Sequence, residues 1–306
     1  MASTTTAKVI VRTSEPPRLR VIPRFREVAG ARQILWNLIR KEVKVKYKNS
    51  VLGVAWSMLS PLLYLGVFSI VFGVVVPNPT PHFPIYMLSG LLAWNLFATS
   101  LGVGVRSVID NQNLVTKVYF PREILPLSAV GTALVDTGFQ ALVLMIFMIA
   151  MQTFVFGANW LLLPLALFAL VTFTSAMVMF VSALNVRYRD TQYLLTIILL
   201  VWFWMTPVVY PSSKIVGKEL WGIPLYKIFM LNPMADIVFA FQRVFYGTVD
   251  AVVQTSTGPQ VVPVLIPVSV GFLAVLLACV SVGSILLLLL AWRTYFLMSG
   301  DFAEEL

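Results

Sequence analysis

Thr132, Asp136 and Gln140 stand four residues apart in a run that is otherwise apolar, so on a helix they form one polar stripe. An acid surrounded by hydrocarbon costs on the order of 2.5–3.5 kcal/mol on insertion scales, which turns that face toward protein or water. Two roles satisfy the requirement: a polar lining along a transport path, or an interhelix hydrogen bond with the acid neutral. Aromatic residues supply the second repeated chemistry. Tyr64, Phe68 and Phe72 follow at i, i+4 and i+8, Trp94 and Phe97 lie three apart, and Trp202, Phe203 and Trp204 are consecutive. Aromatic faces stack on sugar rings, but the same spacing also serves helix packing and interface belts. Tyr64, Phe68, Phe72, Trp94, Phe97, Asp136, Gln140, Trp202 and Trp204 are the candidate lining of a channel.

Constellations for covalent chemistry are missing. The phosphate loop G-x-x-x-x-G-K-[ST] needs glycines whose backbone amides wrap phosphates, whereas Gly217-Lys218 is followed by Glu219 and has no upstream glycine in register. The sequence has no H-E-x-x-H motif, Ser/His/Asp set or pair of acids within one span. The single histidine, His82, lies in the loop PNPTPHFP and reads as incidental, and a single cysteine, Cys279, precludes a disulfide within one chain. No catalytic residue and no metal site is expected, and no nucleotide cofactor in this chain.

Composition explains where such residues must sit. Only 11% of the 306 residues are charged and 59% are hydrophobic, with a mean hydropathy of +0.88; soluble domains carry roughly 25% charged residues. The apolar runs are long and do not alternate, which favours membrane-spanning helices over a barrel. Six spans are expected, at residues 51–76, 84–106, 124–150, 160–186, 191–210 and 264–292. The polar, basic amino-terminal stretch lacks the pattern of a cleaved signal peptide and is expected to stay in the cytoplasm. With Arg106 at the inner edge, the segments 1–50, 107–123, 187–190 and 293–306 hold 12, 3, 2 and 1 of the 22 Lys and Arg residues, against four in the outer segment 211–263. Positive charge on the inner side thus predicts both termini inside.

The stretch RKEVKVKYKNSVLG, residues 40–53, sits at the edge of the first span. On a helix, Lys41, Lys44 and Lys48 share a narrow face with Arg40 beside them, and apolar residues from Ile34 to Tyr47 occupy most of the rest. Such a helix is expected to lie flat on the membrane, with Glu42 and Lys46 able to pair at i, i+4. Residues 42–48 also alternate as a strand would, but a lone strand at a bilayer surface leaves its edge unpaired. The basic residues are topology determinants that attract anionic lipid; nucleic acid is not an expected partner. In the outer segment 211–263, two apolar pieces flank the breaker Asn232-Pro233, too short or too polar to span. They read as short helices re-entering the outer leaflet, or as an amphipathic loop on its surface.

The fragments IRKEVKVKYKNSVLGVAWSMLSPLLY, NLVTKVYFPREILPLS, LNVRYRDTQ, WFWMTPVVYP, LNPMADIVFAFQRVFYG and DFAEEL, in that order, resemble the membrane subunits of ABC-2 type exporters of polysaccharides and teichoic acids, the O-antigen permeases included. The resemblance runs from about residue 30 along almost the whole chain; VDAVVQTSTGPQVVP, after Gly247, does not align. It implies an all-α membrane protein of six transmembrane helices with an amino-terminal amphipathic interface helix and short re-entrant outer helices between spans five and six. The implied organisation is a cytoplasmic basic extension 1–32, an interface helix 33–50 and a six-span domain 51–306, with coupling loop 107–123, outer gate region 211–263 and cytoplasmic tail 293–306.

The resemblance further implies a homodimer enclosing a channel in a bacterial plasma membrane. Two copies of a separate ATP-binding cassette subunit would supply ATP and Mg, and the cargo would be a lipid-linked polysaccharide, O-antigen-like or a cell-wall galactan. Asn113, Lys117, Tyr119, Phe120 and Arg122 become candidates for ATPase coupling. Arg40, Lys41, Lys44 and Lys48 become the polar face of the interface helix, and Arg187, Arg189 and Asp190 the inner mouth. Teichoic acid, a drug or a smaller lipid is the alternative cargo. One intramembrane acid and no evident repeat speak against an ion-coupled secondary transporter, and acid-poor loops speak against a membrane glycosyltransferase.

Overall fold

A computed structural model describes residues 21–48, 50, 55–72, 80–154, 156–220, 222–255, 258–300 and 302–305. The first 20 residues of the basic extension and the start of the expected first span, 51–54, lie outside the described residues. Described helices are α1 (Val21–Gly30), α2 (Arg32–Lys46), α3 (Ala55–Ile70), α4 (Phe83–Gly104), α5 (Ser107–Asp110), α6 (Gln112–Lys117), α7 (Ile124–Ala150), α8 (Leu162–Arg187), α9 (Thr191–Trp204), α10 (Leu225–Met230), α11 (Pro233–Phe245), α12 (Val270–Met298) and α13 (Phe302–Glu305). Among the described residues, four helical stretches are long and apolar enough to cross a bilayer: Phe83–Gly104, Ile124–Ala150, Ala158–Arg187 and Val270–Met298. Two shorter apolar helices, Met58–Ile70 and Thr191–Trp204, accompany them. The chain is a multi-pass membrane protein, mostly helical.

The core is built around α4. Tyr86, Leu92, Leu96, Phe97 and Leu101 are completely enclosed, packed against residues of α7, α8 and α11. Gly104 allows the close approach of α8, since a Cβ there would overlap Val178. By contrast, α12 leaves Val275, Val282, Leu286 and Leu290 more than half exposed, as suits a helix facing lipid or another subunit.

Helix α2 settles the choice between helix and strand for residues 42–46, and it packs against α7. Gly131 of α7 lies directly beneath Ile39, where any Cβ would overlap the Ile39 side chain, and Lys46 reaches Asp136. The expected Glu42–Lys46 pair gives way to this packing, with Glu42 lying 3.5 Å from Lys41 instead.

The helix in the expected fifth span, 191–210, also ends earlier than expected. Helix α9 stops at Trp204, and the following TPVVYP turns away, because Pro207 and Pro211 cannot continue a helix. Its freed carbonyls find side-chain donors. Tyr86 donates to the Pro207 oxygen at 3.2 Å and to the Tyr210 oxygen at 2.7 Å, and Gln242 Nε2 donates to Pro207 at 2.9 Å. Helix α12 starts later than the expected sixth span, at Val270, where the Ser269 hydroxyl caps the helix by accepting from the Phe272 amide. It continues through the expected tail to Met298.

Among the described residues, two antiparallel hairpins interrupt the all-α expectation, both within the segment 211–263: β1 (Glu219–Leu220) with β2 (Ile223–Pro224), and β3 (Asp250–Thr255) with β4 (Gly258–Pro263). The second pairs Asp250 opposite Pro263 and Thr255 opposite Gly258, and it accounts for the stretch after Gly247 that follows no helical pattern. Between the hairpins, Asn232 caps α11 by accepting from the Met234 amide at 3.1 Å. The same Oδ1 accepts from the Trp202 indole at 2.9 Å, and Nδ2 reaches Thr206 Oγ1 at 3.2 Å, so one side chain joins the broken end of α9 to the start of α11.

Candidate functional site

Just before the start of α7, Glu123 lies at the junction of three elements. It is 1% exposed and accepts two hydrogen bonds from Arg24 of α1, Nε to Oε1 and Nη2 to Oε2, each 2.8 Å. The Trp292 indole of α12 donates to Oε1 at 3.1 Å, and Arg24 also covers the ring of Phe296. Burial alone would lower the Arg24 pKa, but the carboxylates of Glu123 and, 2.6 Å away, Glu27 together more than offset it and hold the guanidinium above its ordinary value. Beside this, Tyr295 donates to the Arg122 carbonyl at 2.9 Å, and Arg122 Nη1 donates to the Ser299 carbonyl.

The expected coupling loop 107–123 holds two short helices, α5 and α6, followed by an extended residue at Val118. Asn113 and Lys117 are exposed, Tyr119 is 96% exposed, and Phe120 is half-buried against the inner core. Arg122 differs from the other four candidates, because its guanidinium is committed inward to the end of α12. A cleft of about 430 Å³ runs between α1, the start of α2 and Tyr119, Phe120 and Pro121.

Of the interface-helix residues, Arg40, Lys44 and Lys48 are exposed; Lys41 lies 3.4 Å from Asn111 Oδ1 at the coupling segment. Of the inner-mouth residues, Arg187 lies over the Tyr188 ring, and Asp190 occupies the N-cap of α9 without a side-chain cap bond. Arg189 shares a cleft of about 270 Å³ with Arg106, Gln112 and Gln192. This brings two guanidinium groups from distant sequence positions to one opening.

The polar stripe of α7 splits. Thr132 turns back to the Ser128 carbonyl at 2.9 Å. Asp136, 7% exposed, accepts from Lys46 Nζ at 2.7 Å and from the Tyr47 hydroxyl at 3.1 Å, while Gln140 accepts from Asn95 Nδ2 of α4 at 3.0 Å. Burial opposes the charge on Lys46, but the Asp136 carboxylate more than compensates and raises its pKa.

The candidate lining aromatics divide in two. Tyr64, Phe68, Phe72, Phe83, Tyr86 and Tyr246 form a continuous series of ring contacts 4.4–6.0 Å between centroids, with Tyr64 half exposed at one end. Trp94, Phe97 and Trp202 pack inward instead: Phe97 is wholly enclosed and contacts Trp202 at 5.1 Å and Phe173 at 5.6 Å. Trp204 is exposed.

A family model matches residues 33–246, from the start of the interface helix to the end of α11, and its description is ABC-2 type transporter. The chain belongs to the ABC-2 type transporter family. It is 35% identical over 223 residues, 72% of this chain and 83% of the relative, to the O-antigen export system permease protein RfbA of Myxococcus xanthus. A protein of the same name from Klebsiella pneumoniae is 29% identical over 218 residues, 70% of this chain and 80% of that one. The polysialic acid transport protein KpsM of Escherichia coli is 22% identical over 204 residues, 66% and 76% of the two chains. Within this ABC-2 chain, α1 and α12, which grip Glu123 from both sides, lie outside the matched segment.

Arg24, Glu123, Asn95, Asn232 and Arg106, and Lys46 as the partner of Asp136, had not been singled out from the sequence as site residues. A signal for Arg24 was present: in VIPRFREVAG, Ile22 and Phe25 are three residues apart, as on one side of a helix. Glu123 carried only its place at the border of an apolar run.

Proposed function

We propose that this chain is the permease subunit of an ATP-driven exporter carrying a polyprenyl-diphosphate-linked polysaccharide, O-antigen-like or a cell-wall galactan, across the bacterial plasma membrane. The observation that carries the reading is the identity to a named O-antigen export permease over most of both chains. Two copies of the chain would enclose the path, with both termini inside, six spans, and α10 and α11 re-entering the outer leaflet. ATP and Mg would be bound by a separate ATPase subunit, two copies per complex, which docks on Asn113, Lys117, Tyr119 and Phe120.

The inner-face geometry supports this division of labour. The coupling segment presents exposed side chains on one side and is braced behind by Glu123, so a push on it is transmitted to α1 and α12 as well as to α7. The cleft with Arg106 and Arg189 offers charge-assisted hydrogen bonds to a diphosphate at the inner opening. Teichoic acid or a smaller lipid would use the same machinery.

The test is reconstitution of the chain with its neighbouring ATPase subunit in vesicles, scoring movement of lipid-linked glycan to the opposite leaflet. ATP-dependent movement is the expected result. A chain that retains no ATPase subunit on purification, and whose deletion leaves lipid-linked glycan undisturbed in the inner leaflet, would overturn the proposal.

A further inference from the structure

Where α2 ends beside α7, side chains from four helices converge on a pocket of about 190 Å³. Its chemistry comes from Lys46, Tyr47, Trp56, Asn95, Asp136 and Gln140. Asp136 stands twelve residues into α7, about 18 Å from its inner end at 1.5 Å per residue. A joint between helices would need only the two hydrogen-bonded sets already described. This pocket goes further, because Ser60 and Thr99 also line it with exposed side chains, and the Trp56 ring at its edge is 48% exposed.

Three ligand chemistries can be weighed against this lining. An acyl or isoprenoid chain would strip water from carboxylate, ammonium and amide groups and offer no hydrogen bond in return, which is unfavourable. A phosphate would meet the Asp136 carboxylate, and because Lys46 is already neutralised by that carboxylate, the pair offers an anion no net attraction. A neutral polyol meets neither objection. Its hydroxyls donate to the carboxylate and to the amide oxygens, its oxygens accept from the ammonium and amide nitrogens, and its apolar ring face lies on an indole or phenol. The volume is far below the roughly 300–1,000 Å³ of drug-sized pockets and suits one ring.

We infer that this pocket is a binding station for a single sugar ring of the polymer in transit, with Asp136 and Lys46 as its paired hydrogen-bonding centre and Trp56 as its stacking wall. The inference rests on the exporter reading above. A neutral site of one-ring size binds weakly, and the next unit of the chain can displace the last.

The experiment places a photoreactive benzoylphenylalanine at Trp56, and separately at the exposed Ile149 near the far end of α7, in the full permease–ATPase complex. The cells are fed tritiated galactose, glucose and mannose so that their own lipid-linked polymer is labelled. Light-dependent labelled adducts are expected at position 56 and not at position 149. Asp136→Asn should lower the adduct about tenfold, the equivalent of one charge-assisted hydrogen bond, and Gln140→Ala should lower it by a smaller factor. The Gln140 variant, checked by co-purification of the ATPase subunit, keeps the result interpretable if the Asp136 variant fails to assemble.

Export of labelled polymer by the unsubstituted complex without adduct at position 56 overturns the pocket assignment and leaves the exporter reading intact. Adducts to the lipid portion alone also overturn it. A complex that exports no labelled polymer removes the exporter reading, and the pocket assignment with it.

Discussion

Lys46 at the end of the interface helix and Asp136 in the middle of α7, 90 residues apart in sequence, meet at 2.7 Å. The contact ties the buried acid of α7 to the end of α2, so the position of α2 and the charge of α7 are one structural fact. Lys46→Met leaves the carboxylate without its cation. Because the lysine side chain is 48% exposed, the loss is expected at about 1–3 kcal/mol, less than for a fully buried pair. Melting temperature in detergent measures it, and the exchange Lys46→Asp with Asp136→Lys should recover part of it.

The same pair has a defined pH dependence. Folding raises the Lys46 pKa, so its stabilisation is fully present below the ordinary lysine range and is lost only as pH rises through the higher folded value. The difference in melting temperature between the parent and Lys46→Met is therefore expected to stay constant through neutral pH. A difference that shrinks on moving from mildly acidic to mildly basic buffer would contradict the pairing.

Breaking the Arg24–Glu123 pair should act on α1 first. Glu123→Gln or Arg24→Met removes a nearly buried bidentate pair, expected to cost about 3–5 kcal/mol. Trypsin should then cut faster at Arg26 and Arg32, while cleavage at Lys214, in the segment between α9 and α10, is unchanged. A double-mutant cycle should give a coupling of about 1–3 kcal/mol; additive losses would mean the two residues act independently.

Asn232→Ala removes the cap of α11 and the acceptor of the Trp202 indole together. A loss of about 1–2 kcal/mol is expected from the cap, with further loss from the unpaired groups at the end of α9. Asn232→Asp keeps the acceptor but not the donor to Thr206, so its melting temperature should fall between the two.

Gly131→Val is expected to displace α2, since a side chain there overlaps Ile39. Overpacking of this kind costs about 1–3 kcal/mol. Ile39→Ala should relieve part of that cost in the double variant although it is destabilising alone, and a thermal-shift assay on the four proteins resolves the sign.

Alanine at Tyr119 and at Arg122 should fail in different ways. Tyr119→Ala is expected to weaken co-purification of the ATPase subunit about tenfold, as for an aromatic anchor, with the melting temperature of the permease alone unchanged. Arg122→Ala should lower that melting temperature, because its guanidinium holds the end of α12.

Much of this protein follows from one-dimensional information. Charge-poor runs near or above the bilayer thickness place the helices, and the bias of Lys and Arg toward alternate loops predicts their direction, because transfer of apolar and charged groups depends on local composition. Asn232-Pro233 likewise marks a helix start, since capping and the missing proline N–H act within a few residues. The ends of α9 and α12 were harder to read. They depend on whether Tyr86, Gln242 and Ser269 stand where carbonyls or amides are left open, which hydropathy does not register. Partner choice lay wholly beyond the sequence. Lys46 had Glu42 at a favourable local spacing and took Asp136 instead; Phe97 had the spacing of a lining residue and became core. Such outcomes are set by which surfaces the packed helices bring together, and for charges in low dielectric a contact at 2.7 Å outweighs a local preference of a few tenths of a kcal/mol.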